Sequence, residues 1–284
     1  VLHHAFPEGH PYRHPTIGYM EDIDRANLED VTRFFRVWYC PANAVLVLCG
    51  DFEVEDAMRR VNRFFGEIPW GDTPVRPDPA PPSDGGSQIV RLEDGVSVPR
   101  VYIMYDAPSF RSAEYETSAL ISSVLAGGRS SRLYQERVYE RRFAAEVHAN
   151  VWPLEDVGWL WVVATARPGV DAESLRVGVD ETISSLADHP AGDDEVAGAR
   201  RRARRQLLLQ LESVGGRASA LAHAAVLRGE PDYVNASFDR YGAVQPADLR
   251  AMVSRVLTDE RRTVVEVVPR ESALETDPQP GTRS

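Results

Sequence analysis

Apolar residues recur at helical spacing through Leu28, Val31, Phe34, Phe35 and Trp38, and Asn27 just before them is placed to cap the helix they predict. Pro41 ends that helix. Residues 44–49 are then apolar at every position, which predicts a strand buried on both faces, and Gly50-Asp51 turns the chain into a second helix carrying Val54, Met58, Val61, Phe64 and Phe65. Over residues 69–82 proline, aspartate and glycine replace any hydrophobic period, so residues 69–85 are expected to form an extended linker between two compact units.

Beyond the linker the pattern predicts strands near 100–105, 144–151 and 159–166, and helices near 113–125, 131–141 and 173–187. A long helix over 194–212 carries Val196, Leu207, Leu208 and Leu211, and a further helix follows Gly215-Gly216. Pro246 suits the first turn of another, with Leu249, Val253, Val256 and Leu257 on one face, and the β-branched run 263–268 predicts a closing strand. Strands and helices mix without strict alternation, which favours an α+β fold with a largely antiparallel sheet. Residues 86–270 therefore read as one complete sheet-and-helix domain. Residues 271–284 hold Pro278, Pro280 and Gly281 but no core residues, and are expected to be a disordered tail.

The first unit, residues 1–68, is short of partners. It offers one strand and two amphipathic helices, and each large apolar side chain on them would gain roughly 1.5–3 kcal/mol from full burial. The expectation is that these residues are the end of a larger sheet domain that starts before Val1. Alone, the segment must pair with a second copy, lean on the other domain, or be poorly ordered.

Composition narrows the field without deciding it. With 43% hydrophobic and 26% charged residues, the 284-residue chain has the make-up of a globular protein. A formal charge of −11 gives a field of the wrong sign for nonspecific binding to nucleic acid or an anionic membrane, and no apolar run approaches the roughly 20 residues of a membrane-spanning helix. Cys40 and Cys49 are the only cysteines, so no disulfide framework is expected and a cytoplasmic setting is favoured. The opening Val-Leu-His-His-Ala resembles neither a start site nor a signal peptide, which suggests a piece of something longer.

A family resemblance enters through motifs in order. His10-Pro11-Tyr12, Ile17-Gly18, Met20-Glu21-Asp22-Ile23, Phe34-Phe35, Tyr39-Cys40-Pro41-Ala42-Asn43-Ala44-Val45-Leu46 and Gly50-Asp51-Phe52 resemble the M16 metallopeptidases, the insulinase and processing-peptidase-like family. After the linker, Gly127-Gly128-Arg129-Ser130-Ser131-Arg132-Leu133-Tyr134-Gln135-Glu136 is similar to the glycine-serine-arginine-leucine motif of that family's second domain. The resemblance spans roughly residues 1–270. It implies paired domains, each a sheet backed by helices, two such pairs enclosing a chamber for peptides. It also implies a zinc on an inverted His-x-x-Glu-His motif, the glutamate acting as general base and a later glutamate as third protein ligand.

None of the seven histidines (His3, His4, His10, His14, His148, His189 and His223) frames that motif with another. The resemblance places the motif and the later glutamate before the His-Pro-Tyr region. This chain is therefore expected to carry no catalytic or metal-binding residue and to be inactive alone, with zinc in a longer parent. The family's substrate-holding arginine and tyrosine, seven residues apart in the second domain, fall on Val138 and Ala145, whose side chains cannot hydrogen-bond. That departure implies a zinc-bearing parent whose second M16 subunit supplies the pair, in a heterodimer. Two other readings stay open: a non-catalytic assembly protein like the respiratory-complex core subunits, and a module that binds extended peptides by strand addition.

Individual residues have sharp and bland readings. His3, His4, His10 and His14 suggest a metal site, but Pro11 interrupts their register and no cysteine or placed carboxylate completes a set, so packing or surface roles are adopted. His148 on a strand reads as a core or face-exposed residue. Arg200, Arg201, Arg202, Arg204 and Arg205 form a dense basic run, read as a solvated helix face paired with Asp193, Asp194 and Glu195. Gly127-Gly128-Arg129-Ser130 lacks the Gly-Lys-Ser/Thr ending of a phosphate loop. Arg132 can brace its helix through Glu136, four residues on, and is the one residue offered as a contact for substrate peptide.

Overall fold

A computed structural model describes residues 2–76 and 87–270. The first stretch holds four helices: α1 (Leu2–Ala5), α2 (Met20–Arg25), α3 (Leu28–Trp38) and α4 (Val54–Phe65). Asn27 caps α3 as its side chain allows, accepting from the Glu29 and Asp30 amides at 2.8 and 3.1 Å, while Asp30 reaches back to the Asn27 amide. Both α3 and α4 are amphipathic, yet neither buries a residue: Phe34 and Phe35 are 52% and 53% exposed, Val54 and Phe64 64% and 67%. The predicted strand at 44–49 does not form. An apolar run becomes a strand only against a ladder partner, and no strand among the described residues precedes Gln88, so Val45, Leu46 and Leu48 stay about half exposed.

The described part of the expected linker, residues 69–76, has no regular structure but folds back on the first segment. The Trp70 carbonyl accepts from the Ala42 amide at 2.9 Å. Gly71 sits at φ +76°, and a Cβ there would lie 2.6 Å from the Cys40 Cβ, so only glycine fits. Cys40 and Cys49 are both free thiols. Residues 77–85 and the expected tail, 271–284, lie outside the described residues.

The second stretch builds a five-stranded sheet. Its strands are β1 (Gln88–Asp94), β2 (Arg100–Ala107), β3 (Ala144–Pro153), β4 (Gly158–Ala166) and β5 (Arg262–Pro269), in spatial order β1-β5-β2-β4-β3. Only β1 and β5 pair in parallel, and the other pairs are antiparallel. Ile103 faces Val162 on one side and Val264 on the other, a row of fully buried side chains through the sheet centre. The strand at 88–94 is not foreseen from its sequence, because Gln-Ile-Val-Arg-Leu-Glu-Asp holds only three apolar residues and the edge position demands no more.

Six helices cover one face in two layers. The inner ones, α5 (Tyr115–Ala126), α6 (Ala172–Asp188) and α10 (Pro246–Val256), touch the strands, and α7 (Asp193–Glu212), α8 (Val214–Arg228) and α9 (Tyr233–Ala243) pack outside α5. α9, also unforeseen, is held by Tyr233 and Val234. Leu120, Ile121 and Leu125 of α5 and Leu175 and Ile183 of α6 are almost fully buried, each contributing roughly 1.5–3 kcal/mol. A buried ionic clamp ties α6 to β5: Arg176 bridges Asp180 at 3.2 Å and Glu266 at 3.0 Å, and Arg262 bridges Asp180. On the other sheet face Phe6 stacks on Trp159 at 4.3 Å and packs beside Met104, so the chain's first residues cap that surface.

Candidate functional site

The motif segment begins where α5 stops. The Gly127 amide donates to the Ser123 carbonyl at 2.9 Å, and a Cβ on Gly127 would lie 2.4 Å from that oxygen, so the tight stop requires glycine. The predicted helix at 131–141 is largely a π-helix, Tyr134–Glu140, in which the Arg141 amide reaches the Glu136 carbonyl five residues back. This wider turn carries Glu136 off the face of Arg132. The expected Arg132–Glu136 brace is accordingly absent, and Glu136 accepts from the Thr182 hydroxyl at 2.7 Å.

Arg132 is engaged elsewhere. Its Nε and Nη2 donate to both Glu195 carboxylate oxygens at 2.8 and 2.7 Å, and its Nη1 donates to the His189 carbonyl at 2.7 Å. The guanidinium holds the Glu195 carboxyl below the usual glutamate range. Val138 is buried, and Ala145 sits exposed at a bulge between Ala144 and Glu146 of β3. The neighbouring Arg137 is 2% exposed and turned inward, its Nε donating to Thr182 at 2.8 Å and its Nη2 to Glu181 at 3.1 Å.

The histidines do not converge. His10 is buried and stacks on Phe6 at 4.3 Å, His3 Nε2 meets the Tyr19 hydroxyl at 2.7 Å, and His14 lies edge-on to the same tyrosine ring. His4 has its pKa lowered, chiefly by burial. His148 is on the exposed face of β3, 3.5 Å from Glu146. Among the described residues no group of three or more histidines, cysteines, aspartates or glutamates is placed to hold a metal ion, so their donor set does not fit a zinc centre. Nor is any helix among them long and apolar enough to cross a membrane.

The basic run of α7 is only partly solvated, and its expected pairing with Asp193, Asp194 and Glu195 does not hold. Glu195 is taken by Arg132, Arg200 donates to the Val244 carbonyl, and Arg204 lies over the Phe238 ring. Arg202 donates from Nε and Nη2 to the hydroxyl and carbonyl of Ser123 at 2.9 and 3.0 Å, a second bond to the carbonyl that already accepts from the Gly127 amide. Burial, then the neighbouring Arg201, lowers its pKa.

One concavity among the described residues carries no local sequence signature. A cleft of about 590 Å³ opens between β3, α5 and the outer helices α7, α8 and α9. Behind its wall the buried Glu116 accepts a hydrogen bond from the Tyr233 hydroxyl, and Arg228 lies 4.0 Å from the Tyr233 ring centre. Burial raises the pKa of Tyr115, Tyr233 and Tyr241, so these hydroxyls are protonated at neutral pH. The wall collects residues from five elements, which no local motif announces.

Residues 25–203 match the family described as Peptidase M16 inactive domain. The zinc protease PqqE of Helicobacter pylori is 26% identical over 266 residues, covering 92% of this chain; the chain spans only 59% of that relative's length. A crystal structure of a protease from Helicobacter pylori superposes with a TM-score of 0.83 at 23% identity, covering 92% of this chain and 63% of that one. The M16 inactive domain from Pseudomonas fluorescens gives 0.82 at 19%, covering 95% and 63%. At those identities the two structures establish the fold alone. With the match to the inactive-domain model running from before α3 into α7, the chain belongs to the M16 peptidase family.

Proposed function

We propose that this chain is the non-catalytic portion of one subunit of a zinc-dependent peptidase, in which peptides are hydrolysed or processed between two M16 subunits. One observation carries the reading: the strands and helices between Val101 and Val268 enclose a buried core, while α3 and α4 ahead of them bury nothing. Such amphipathic helices are the outer layer of a domain lacking its sheet. The M16 match across both pieces, and the zinc-protease name of the Helicobacter pylori relative, support a zinc-bearing domain as that missing part.

In this reading the zinc ligands belong to the longer parent rather than to these residues, and the metal would supply an activated water there. Val138 and Ala145 leave the substrate-holding pair to a second M16 subunit. Arg132 braces the motif loop against α7, and it could touch peptide only by opening its bridge to Glu195. The two free cysteines support a cytoplasmic setting.

The test combines zinc quantification with a quenched-fluorescent peptide assay. The chain by itself is expected to hold no stoichiometric zinc and to cleave nothing. A form extended by a zinc-bearing domain, mixed with a subunit carrying the arginine and tyrosine, is expected to cleave. Stoichiometric zinc in the chain with unaided cleavage would overturn the proposal. An extended form that binds neither zinc nor peptide would instead favour the assembly-protein reading, with which the loss at Val138 and Ala145 also agrees.

A further inference from the structure

The cleft beside β3 includes neither Arg132 nor Glu195 in its wall. Its wall contains Arg202, Arg205 and His223 and no aspartate or glutamate, although acidic residues outnumber lysine and arginine 43 to 32 in the chain. A wall drawn from that composition without bias would carry several carboxylates. Arg205 is exposed at the rim and engages no carboxylate among the described residues. Arg202 is fixed in place by its two bonds to Ser123, which leaves its charge standing at the wall.

The rest of the lining is of two kinds. Phe110, Val151 and Val234 supply apolar surface, and Asn150, Gln206 and Gln210 supply amides that both donate and accept hydrogen bonds. A volume of about 590 Å³ falls within the roughly 300–1,000 Å³ typical of small-ligand sites, enough for a few linked residues and too small for a folded partner. Every lining residue lies between Phe110 and Tyr241, so the cleft needs nothing from residues 1–68.

We propose that this cleft binds a short peptide segment bearing a carboxylate beside apolar side chains. The carboxylate meets Arg205 and Arg202, the side-chain amides pair with the peptide backbone, and the apolar side chains enter against Phe110 and Val234. The site stands whether or not the parent cleaves peptides.

The experiment titrates the full 284-residue chain with N-acetyl-Ala-Leu-Phe-Glu-amide by calorimetry, following the His223 ring protons by NMR. The Gln and Lys forms of the peptide and octanoate serve as comparisons. Saturable binding of the Glu peptide that shifts His223 is expected, weakened at least tenfold in the Gln form and lost in the Lys form. Arg205→Glu and Gln206→Glu, both at exposed positions, are each expected to weaken it at least tenfold while circular dichroism stays unchanged. Equal binding of Glu and Gln forms, indifference to both substitutions, or no binding of any peptide would overturn the proposal. Octanoate binding as tightly as the peptide would overturn the peptide assignment.

Discussion

Arg132 and Glu195 hold the motif loop to the start of α7 through two parallel hydrogen bonds, and the exposure of each end sets what the pair contributes. The arginine side chain is 16% exposed and the glutamate 38%, so solvent screens the interaction and its loss costs on the order of 1 kcal/mol. Because the folded state lowers the Glu195 pKa, the stabilisation is fully present above the ordinary glutamate value of 4.5. It fades as pH falls through the lowered folded value. Glu195→Gln should therefore reduce stability at pH 7 and flatten the acid limb of a urea-denaturation profile between pH 5 and 3. An unchanged acid limb would show that the bridge contributes nothing. Arg132 itself was visible in the sequence as part of a motif, but its partner was not. A four-residue spacing predicts a bond only on an α-helix, and the five-residue turn at Tyr134–Glu140 moves Glu136 away.

At the level of elements, four of the five strands and every α-helix but α9 in residues 87–270 were legible because their apolar pattern matches the face they bury. β2, β3, β4 and β5 fall where alternating or β-branched runs lie, and α6 starts where Asp171 can cap it. The Asp171 side chain accepts from the Ser174 amide at 2.8 Å, and Asp171→Ala is expected to cost about 1 kcal/mol in chemical denaturation. A loss under 0.3 kcal/mol would mean that packing alone fixes the start of α6. β1 was illegible for the opposite reason: an edge strand is set by its neighbour rather than by its own residues. Residues 44–49 erred the other way, since their composition is that of a central strand while the ladder they need is not among the described residues. The cleft beside β3 left no trace in the sequence, because burial of Phe110 and Tyr233 and exposure of Arg205 come from packing five elements together.

For the whole molecule, the exposed faces of α3 and α4 make association the expected state of the isolated chain. Light scattering should give a mass above 31.6 kDa that rises with concentration, and Phe35→Ser with Phe64→Ser should lower it toward the monomer. A monomer at all concentrations, with slow hydrogen exchange in α3 and α4, would count against an incomplete first domain. The sheet carries its own constraint on how the molecule comes into being. β5 slots between the edge strand β1 and the central strand β2, so that gap stays open until residues 262–269 have been made. A nascent chain halted short of Arg262 would have β1 with nothing to hold it and one side of β2 bare. Synthesis must nearly reach the end of the described residues before this domain can close, and premature termination there yields a species with an open sheet edge rather than a slightly shorter protein.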